Sequence, residues 1–124
     1  MTCVTVLQCH HRSDIDPGPL SDLYDTLGAA GADQAICTML EDLAQRLNII
    51  HVTRISSGFD DLTDRAERMA VIAADIGLTE VATAAHHLSD SARQRDGIAV
   101  EATLARLERG FDMAIGQIWS MRKG

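Results

Sequence analysis

The stretch DDLTDRAERMAVIAADIGLTEVATAAHHLSD, residues 60–90, decides the fold. It reads as two helices with a break near Gly77. In the first, Leu62, Ala66, Met69, Ala73 and Ile76 recur at helical spacing and make one apolar stripe. At about 100° per residue, Asp60, Asp64, Glu67, Val71 and Ala74 fall on the opposite, outward face. That face mixes acids with small and apolar residues. In the second helix, Thr79 stands just ahead of another apolar series: Val81, Ala82, Ala85 and Leu88.

Upstream, Asp16-Pro17 has the form of a helix start, an acid as N-cap and proline in the first turn. Leu20, Leu23 and Leu27 follow as a short stripe, which Gly28 and Gly31 should end. Asp33 is placed to cap the next helix, with Ile36, Met39, Leu40, Leu43 and Leu47 inward. The β-branched run Ile49-Ile50-His51-Val52-Thr53 lowers helix propensity. Ile50 still continues the stripe, and a strand here would lack a partner, so the helix is extended to about Ile55. Ser56-Ser57-Gly58 is a turn, and Asp60 or Asp61 should cap the central helix. Downstream, the polar turn Arg93–Gly97 leads to a last helix from about Ala99 to Met121. Its stripe is Val100, Leu104, Leu107, Phe111, Ala114, Ile115 and Ile118, with Trp119 beside it and Arg122-Lys123 complementing the helix dipole.

Composition agrees with helices. The chain has 124 residues, 46% of them hydrophobic but only 3% aromatic, and alanine is abundant. Such a core is built from aliphatic side chains and close helix contacts. Both prolines precede position 20, leaving the rest free for long helices. One domain is expected. A lead-in over residues 1–15 precedes a bundle domain over 16–124, with no repeats and no linker. Four substantial helices with short connections predict an all-α, antiparallel up-down four-helix bundle, with a short extra N-terminal helix across one end.

The net charge of −7 argues against nucleic acid and against an anionic membrane surface. No apolar run approaches the ~20 residues that span a bilayer. The start, MTCVTVLQCHHRSD, lacks the basic and apolar regions of a signal peptide. Cys3, Cys9 and Cys37 form no framework, which fits free thiols in a reducing cytoplasm. Cys9-His10-His11 has no second ligand pair at zinc spacing, so it reads as a solvated arm and not a metal site. Gly-rich phosphate loops, HExxH and CxxC are absent. Ser89 and Ser91 lie near His86 and His87, but no oxyanion hole or third member accompanies them. The neighbouring acids Glu41 and Asp42 read as a solvated face. Enzyme chemistry is poorly supported, and no cofactor or metal is called for.

The run Ala66-Glu67-Arg68-Met69-Ala70-Val71-Ile72-Ala73-Ala74-Asp75-Ile76-Gly77 resembles the core motif of the histidine-containing phosphotransfer (HPt) domain family. These four-helix bundles relay phosphate between receiver domains in two-component phosphorelays. The family pattern is roughly A-H-x-L-K-G-x-A-x-x-x-G. Its His accepts the phosphate, its Lys balances charge and its Gly leaves room for the receiver. Ala66, Met69, Ala73 and Gly77 match the small, apolar and turn positions. The segments over residues 20–47 and 102–115 are also similar to this family, so the resemblance spans roughly 16–120. It departs where the chemistry lies. Glu67 stands at the phosphoacceptor position, Ala70 at the Lys and Val71 at the Gly. An ionised carboxylate is acceptor-only and repels an incoming phosphoryl group. A charge-neutralising partner is lost as well.

A second register, Ala85-His86-His87-Leu88-Ser89-Asp90-Ser91-Ala92, also resembles the motif, with Gly97 eleven residues past His86. It would make His86 the phosphoacceptor, or less plausibly His87. Ser89 and Asp90 then replace Lys and Gly, and only one helix follows where the fold needs two. The Glu67 register is therefore preferred, and the histidines read as surface residues. The resemblance implies a cytoplasmic interaction module that docks a receiver domain or a histidine kinase without carrying phosphate. Its expected binding face is Asp64, Glu67, Ala70, Val71 and Ala74. The alternatives are an active phosphocarrier using His86, and a bundle whose exposed face serves only oligomerisation.

Overall fold

A computed structural model describes residues 15–56 and 58–123, with no side-chain description beyond residue 120. The readings made for residues 1–14, for Ser57, and for the Arg122 and Lys123 side chains lie outside the described residues. The described chain is all helical, with no strand. Its helices are α1 (Pro17–Ser56), α2 (Phe59–Asp75), α3 (Thr79–Arg93) and α4 (Gly97–Lys123).

Helix α1 opens as its sequence requires. The Asp16 carboxylate accepts the Gly18 N–H at 3.0 Å, satisfying a first-turn donor, and Pro17 occupies the first helical position. The helical path then breaks once, at Gly28 (φ 77, ψ 173), a region open almost only to glycine. The short N-terminal helix is thus the stretch of α1 ahead of this break. Gly31 does not end it, because Gly31 already lies in the continuing helix. Asp33 is not an N-cap either. It lies one turn past the break, where its carboxylate accepts the Tyr24 hydroxyl at 2.7 Å and ties the two parts of α1 together. Beyond it, Ala32, Ile36, Leu40, Leu43, Leu47 and Ile50 are buried at spacings of three and four. The β-branched run is helical throughout, since Ile50 and Thr53 are buried and that packing outweighs weak local propensity.

Helix α2 is capped by Gly58 without a side-chain bond, so Asp60 and Asp61 fall in its first turn rather than at its cap. There they still oppose the positive end of the helix dipole. Its end is a Schellman motif. The Gly77 N–H donates to the Ala74 carbonyl at 3.1 Å and the Leu78 N–H to the Ala73 carbonyl at 2.9 Å. Gly77 takes the left-handed φ of 87° that this motif needs. Helix α3 ends the same way, with Arg95 N–H to the Ala92 carbonyl and Asp96 N–H to the Ser91 carbonyl. Here the left-handed residue is Arg95 (φ 58), not a glycine. Its cost of roughly 1–2 kcal/mol is partly offset by what the side chain gains. Its guanidinium reaches Asp60 at 3.1 Å and stacks 5.9 Å from the Phe59 ring centre. Asp96 then caps α4 through a 3.1 Å bond from the Ala99 N–H, two residues earlier than the apolar pattern alone indicates.

Consecutive helices run antiparallel. Asp16, ahead of α1, donates its N–H to the Gly77 carbonyl beyond α2, and Arg95 beyond α3 meets Asp60 at the start of α2. The most extensive packing is α2 against α3, then α3 against α4, then α1 against α2. Helices α1 and α4 are joined by His51–Glu108 at 3.2 Å and Arg54–Glu101 at 2.6 Å. One core unites them: Ile36, Leu43 and Ile50 of α1, Met69 of α2, Leu88 of α3, and Leu107 and Ile118 of α4. Ala82 is only half-buried, whereas Ala84 and Ala92 are fully in the core. Trp119 packs against the core from its edge.

The α2–α3 junction is a tight point. A Cβ on Gly77 would sit 2.2 Å from the Asp16 carbonyl oxygen, whereas one on Gly28 would meet nothing within 4 Å. Both substitutions to alanine strain the backbone, by about 1–3 kcal/mol. Gly77→Ala adds a clash with backbone that cannot swing away. Thermal unfolding should therefore rank wild type above Gly28→Ala and Gly28→Ala above Gly77→Ala. Equal melting temperatures for the two variants would contradict this packing.

Candidate functional site

The outward side of α2 carries the residues that the sequence singled out. Asp64, Val71 and Ala74 are exposed and Glu67 is half-exposed, because Leu62, Ala66, Met69 and Ala73 turn the opposite side into the core. Ala70 is half-buried and packs against the core. Asp64, Glu67 and Val71 line a groove of about 630 Å³ between α2 and α1. Arg46 and Ile49 border it from α1, and Arg65, Arg68 and Ile72 from α2. Val71 is 61% exposed and Ile49 43%, so an apolar strip runs along a groove otherwise rimmed by charge.

Glu67 does not stand alone. The Arg93 guanidinium, from the last turn of α3, donates a hydrogen bond to its carboxylate across the α2–α3 seam. The other arm of Arg93 reaches Asp90 at 2.8 Å, and a third contact reaches the Ser89 hydroxyl at 3.4 Å. Asp90 in turn lies 3.9 Å from the His86 imidazole. Glu67, Arg93, Asp90 and His86 thus form one polar chain across two helices. Its two ends are the candidate positions of the two motif registers. His86 is 64% exposed and His87 is exposed, both on the outer side of α3, while Ala85 and Leu88 enter the core. Ser89 is buried and Ser91 nearly so, the latter bonded back to the His87 carbonyl at 2.9 Å.

Arg93 is the functional candidate that the sequence pattern did not pick out. The signal available was local: Asp90 and Arg93 are three apart in the last helical turn, a spacing that pairs side chains. Its reach to Glu67 depends on how α3 rotates against α2, which no local pattern encodes. Chemically, the arrangement gives Glu67 a cation without giving it a nucleophile. The carboxylate is committed to the guanidinium, and an ionised carboxylate offers only acceptor oxygens. Among the described residues, no group of three His, Cys, Asp or Glu could hold a metal ion. No described helix is long and apolar enough to cross a membrane.

No family model matches this chain, and neither a curated protein nor a solved structure matches it.

The Glu67–Arg93 contact is solvent-facing, so its share of stability is small. Removing either partner should cost less than about 1 kcal/mol, and a Glu67→Ala/Arg93→Ala cycle should give a coupling of a few tenths of a kcal/mol to about 1 kcal/mol. Urea unfolding of the four proteins measures it. The coupling should fall as salt is raised.

Proposed function

We propose that this chain is a docking module of the phosphorelay type, resembling an HPt domain in scaffold but not carrying phosphate on α2. It binds a receiver domain or a histidine kinase, in the cytoplasm and without catalysing a reaction. The observation that carries this reading is the state of Glu67. An acid stands where the resemblance would have the phosphoacceptor histidine, and Arg93 of α3 already holds it. Beside it, Val71 and Ile49 leave an apolar strip open along the α1–α2 groove. An apolar centre with a charged rim is the usual anatomy of a protein-docking surface. The face for binding comprises Asp64, Glu67, Val71 and Ala74, with Ala70 supporting it from beneath.

The other register keeps one observation in its favour, the exposed His86 imidazole beside Asp90. A single experiment separates the two. The whole chain is incubated with radiolabelled phosphorylated receiver domains, and with the cytoplasmic portions of histidine kinases from the same genome. The docking reading expects binding to one of them and no acid-labile, alkali-stable label on the chain. It also expects Val71→Asp to weaken that binding about tenfold or more while the helical circular dichroism is kept. Label that appears on the wild type and vanishes in His86→Ala would establish the phosphocarrier instead. Absence of binding to every receiver and kinase would remove the docking reading.

A further inference from the structure

The groove between α1 and α2 is lined by six charged side chains, and four of them are already paired within the chain. Arg46 holds Asp42 at 3.0 Å, Arg65 holds Asp61 at 3.5 Å, and Glu67 is held by Arg93. Asp64 and Arg68 remain. Both are exposed, both line the groove, and neither forms an ion pair among the described residues. They carry opposite charge and stand one helical turn apart on the same outer face of α2.

A protein surface complementary to both charges presents a cation opposite Asp64 and an anion opposite Arg68, in reversed order along the contact. A simple anion or cation answers only half of it. The chain itself, turned by a two-fold rotation, answers both halves. When two α2 helices lie antiparallel about an axis on their outer faces, midway between Asp64 and Arg68, Asp64 of each copy meets Arg68 of the other. An isologous interface requires this self-complementarity. Apolar surface adjoins it: Val71 on α2 and Ile49 on α1, both exposed and both lining the groove.

We propose that the α1–α2 face is a homodimer interface, set in register by two reciprocal Asp64–Arg68 ion pairs. Charge sets the register, and the covered valine and isoleucine side chains supply the burial, because exposed ion pairs alone contribute little. The face is also the one assigned to a docked receiver or kinase. Self-association then competes with docking, a consequence that rests on the docking reading. The dimer itself does not.

Sedimentation equilibrium from low micromolar to millimolar concentration tests this, using the purified chain with no partner. The wild type should show a reversible rise toward the mass of two copies. Asp64→Arg and Arg68→Asp should each weaken self-association about tenfold or more, since each places like charges across the axis. Mixing the two variants should restore the dimer as a heterodimer. The arginine introduced in one copy then faces the aspartate introduced in the other, and the Arg68 and Asp64 that each variant retains face one another. Circular dichroism should remain helical throughout. A wild type that stays monomeric overturns the proposal. So does self-association that both variants keep undiminished, or a mixture that fails to recover it. None of these results bears on receiver or kinase binding, so the two readings fail separately.

Discussion

The seam between α2 and α3 is the contact on which the rest of the structure depends. Many of the buried residues on these two helices are small: Ala66 and Ala73 on α2, and Ala84, Ala85, Ser89 and Ala92 on α3. Interaxial distance follows the size of the side chains at the contact, so small residues let two helices approach closely. With only 3% aromatic residues the chain has few large rings to hold helices apart. Two constraints preserve this seam. The Schellman motif at Gly77 reverses the chain within three residues, and the Asp16 backbone packs onto that same glycine. At the other end, Arg95 returns to Asp60 and Phe59. The rotation of α3 against α2 is therefore held at both ends, and it brings Arg93 to Glu67.

Much of this was legible in the sequence, for an identifiable reason. The stripe Leu62, Ala66, Met69, Ala73, Ile76 is buried at every position, because a hydrophobic pattern at period 3.6 leaves one face to bury. Gly77 and the Asp16-Pro17 start follow from residue chemistry that acts within four residues. What local reasoning could not separate were choices between equivalent neighbours. Gly28 and Gly31 are both able to break a helix, and the backbone break falls at the first. Asp33 and Asp61 are both competent caps, but the neighbouring structure gives one of them a tyrosine hydroxyl and leaves the other inside a first turn.

The candidate site divides the same way. Periodicity alone puts Asp64, Glu67, Val71 and Ala74 outward, and they are outward. Ala70 lies close enough to the edge of the stripe that a small rotation of α2 turns it inward against the core. Arg93, which pairs with Glu67, belongs to another helix, and its sequence places it in a polar turn. A surface assembled from two helices is visible in sequence only as two unrelated faces.

The polar chain from Glu67 through Arg93 and Asp90 to His86 bears on both motif registers at once. A phosphoryl group brings nearly two negative charges to the atom that accepts it. At Glu67 it would meet a carboxylate whose ion-pair partner, Arg93, is already shared with Asp90. At His86 it would arrive beside Asp90, with that same Arg93 on the far side of the acid. One guanidinium therefore serves two carboxylates, and among the described residues no other Lys or Arg forms an ion pair with Glu67 or Asp90. Protein docking makes no such demand. Two carboxylates against one guanidinium leave one negative charge in excess, and a docked protein can meet it with a cation of its own while it covers the exposed apolar strip.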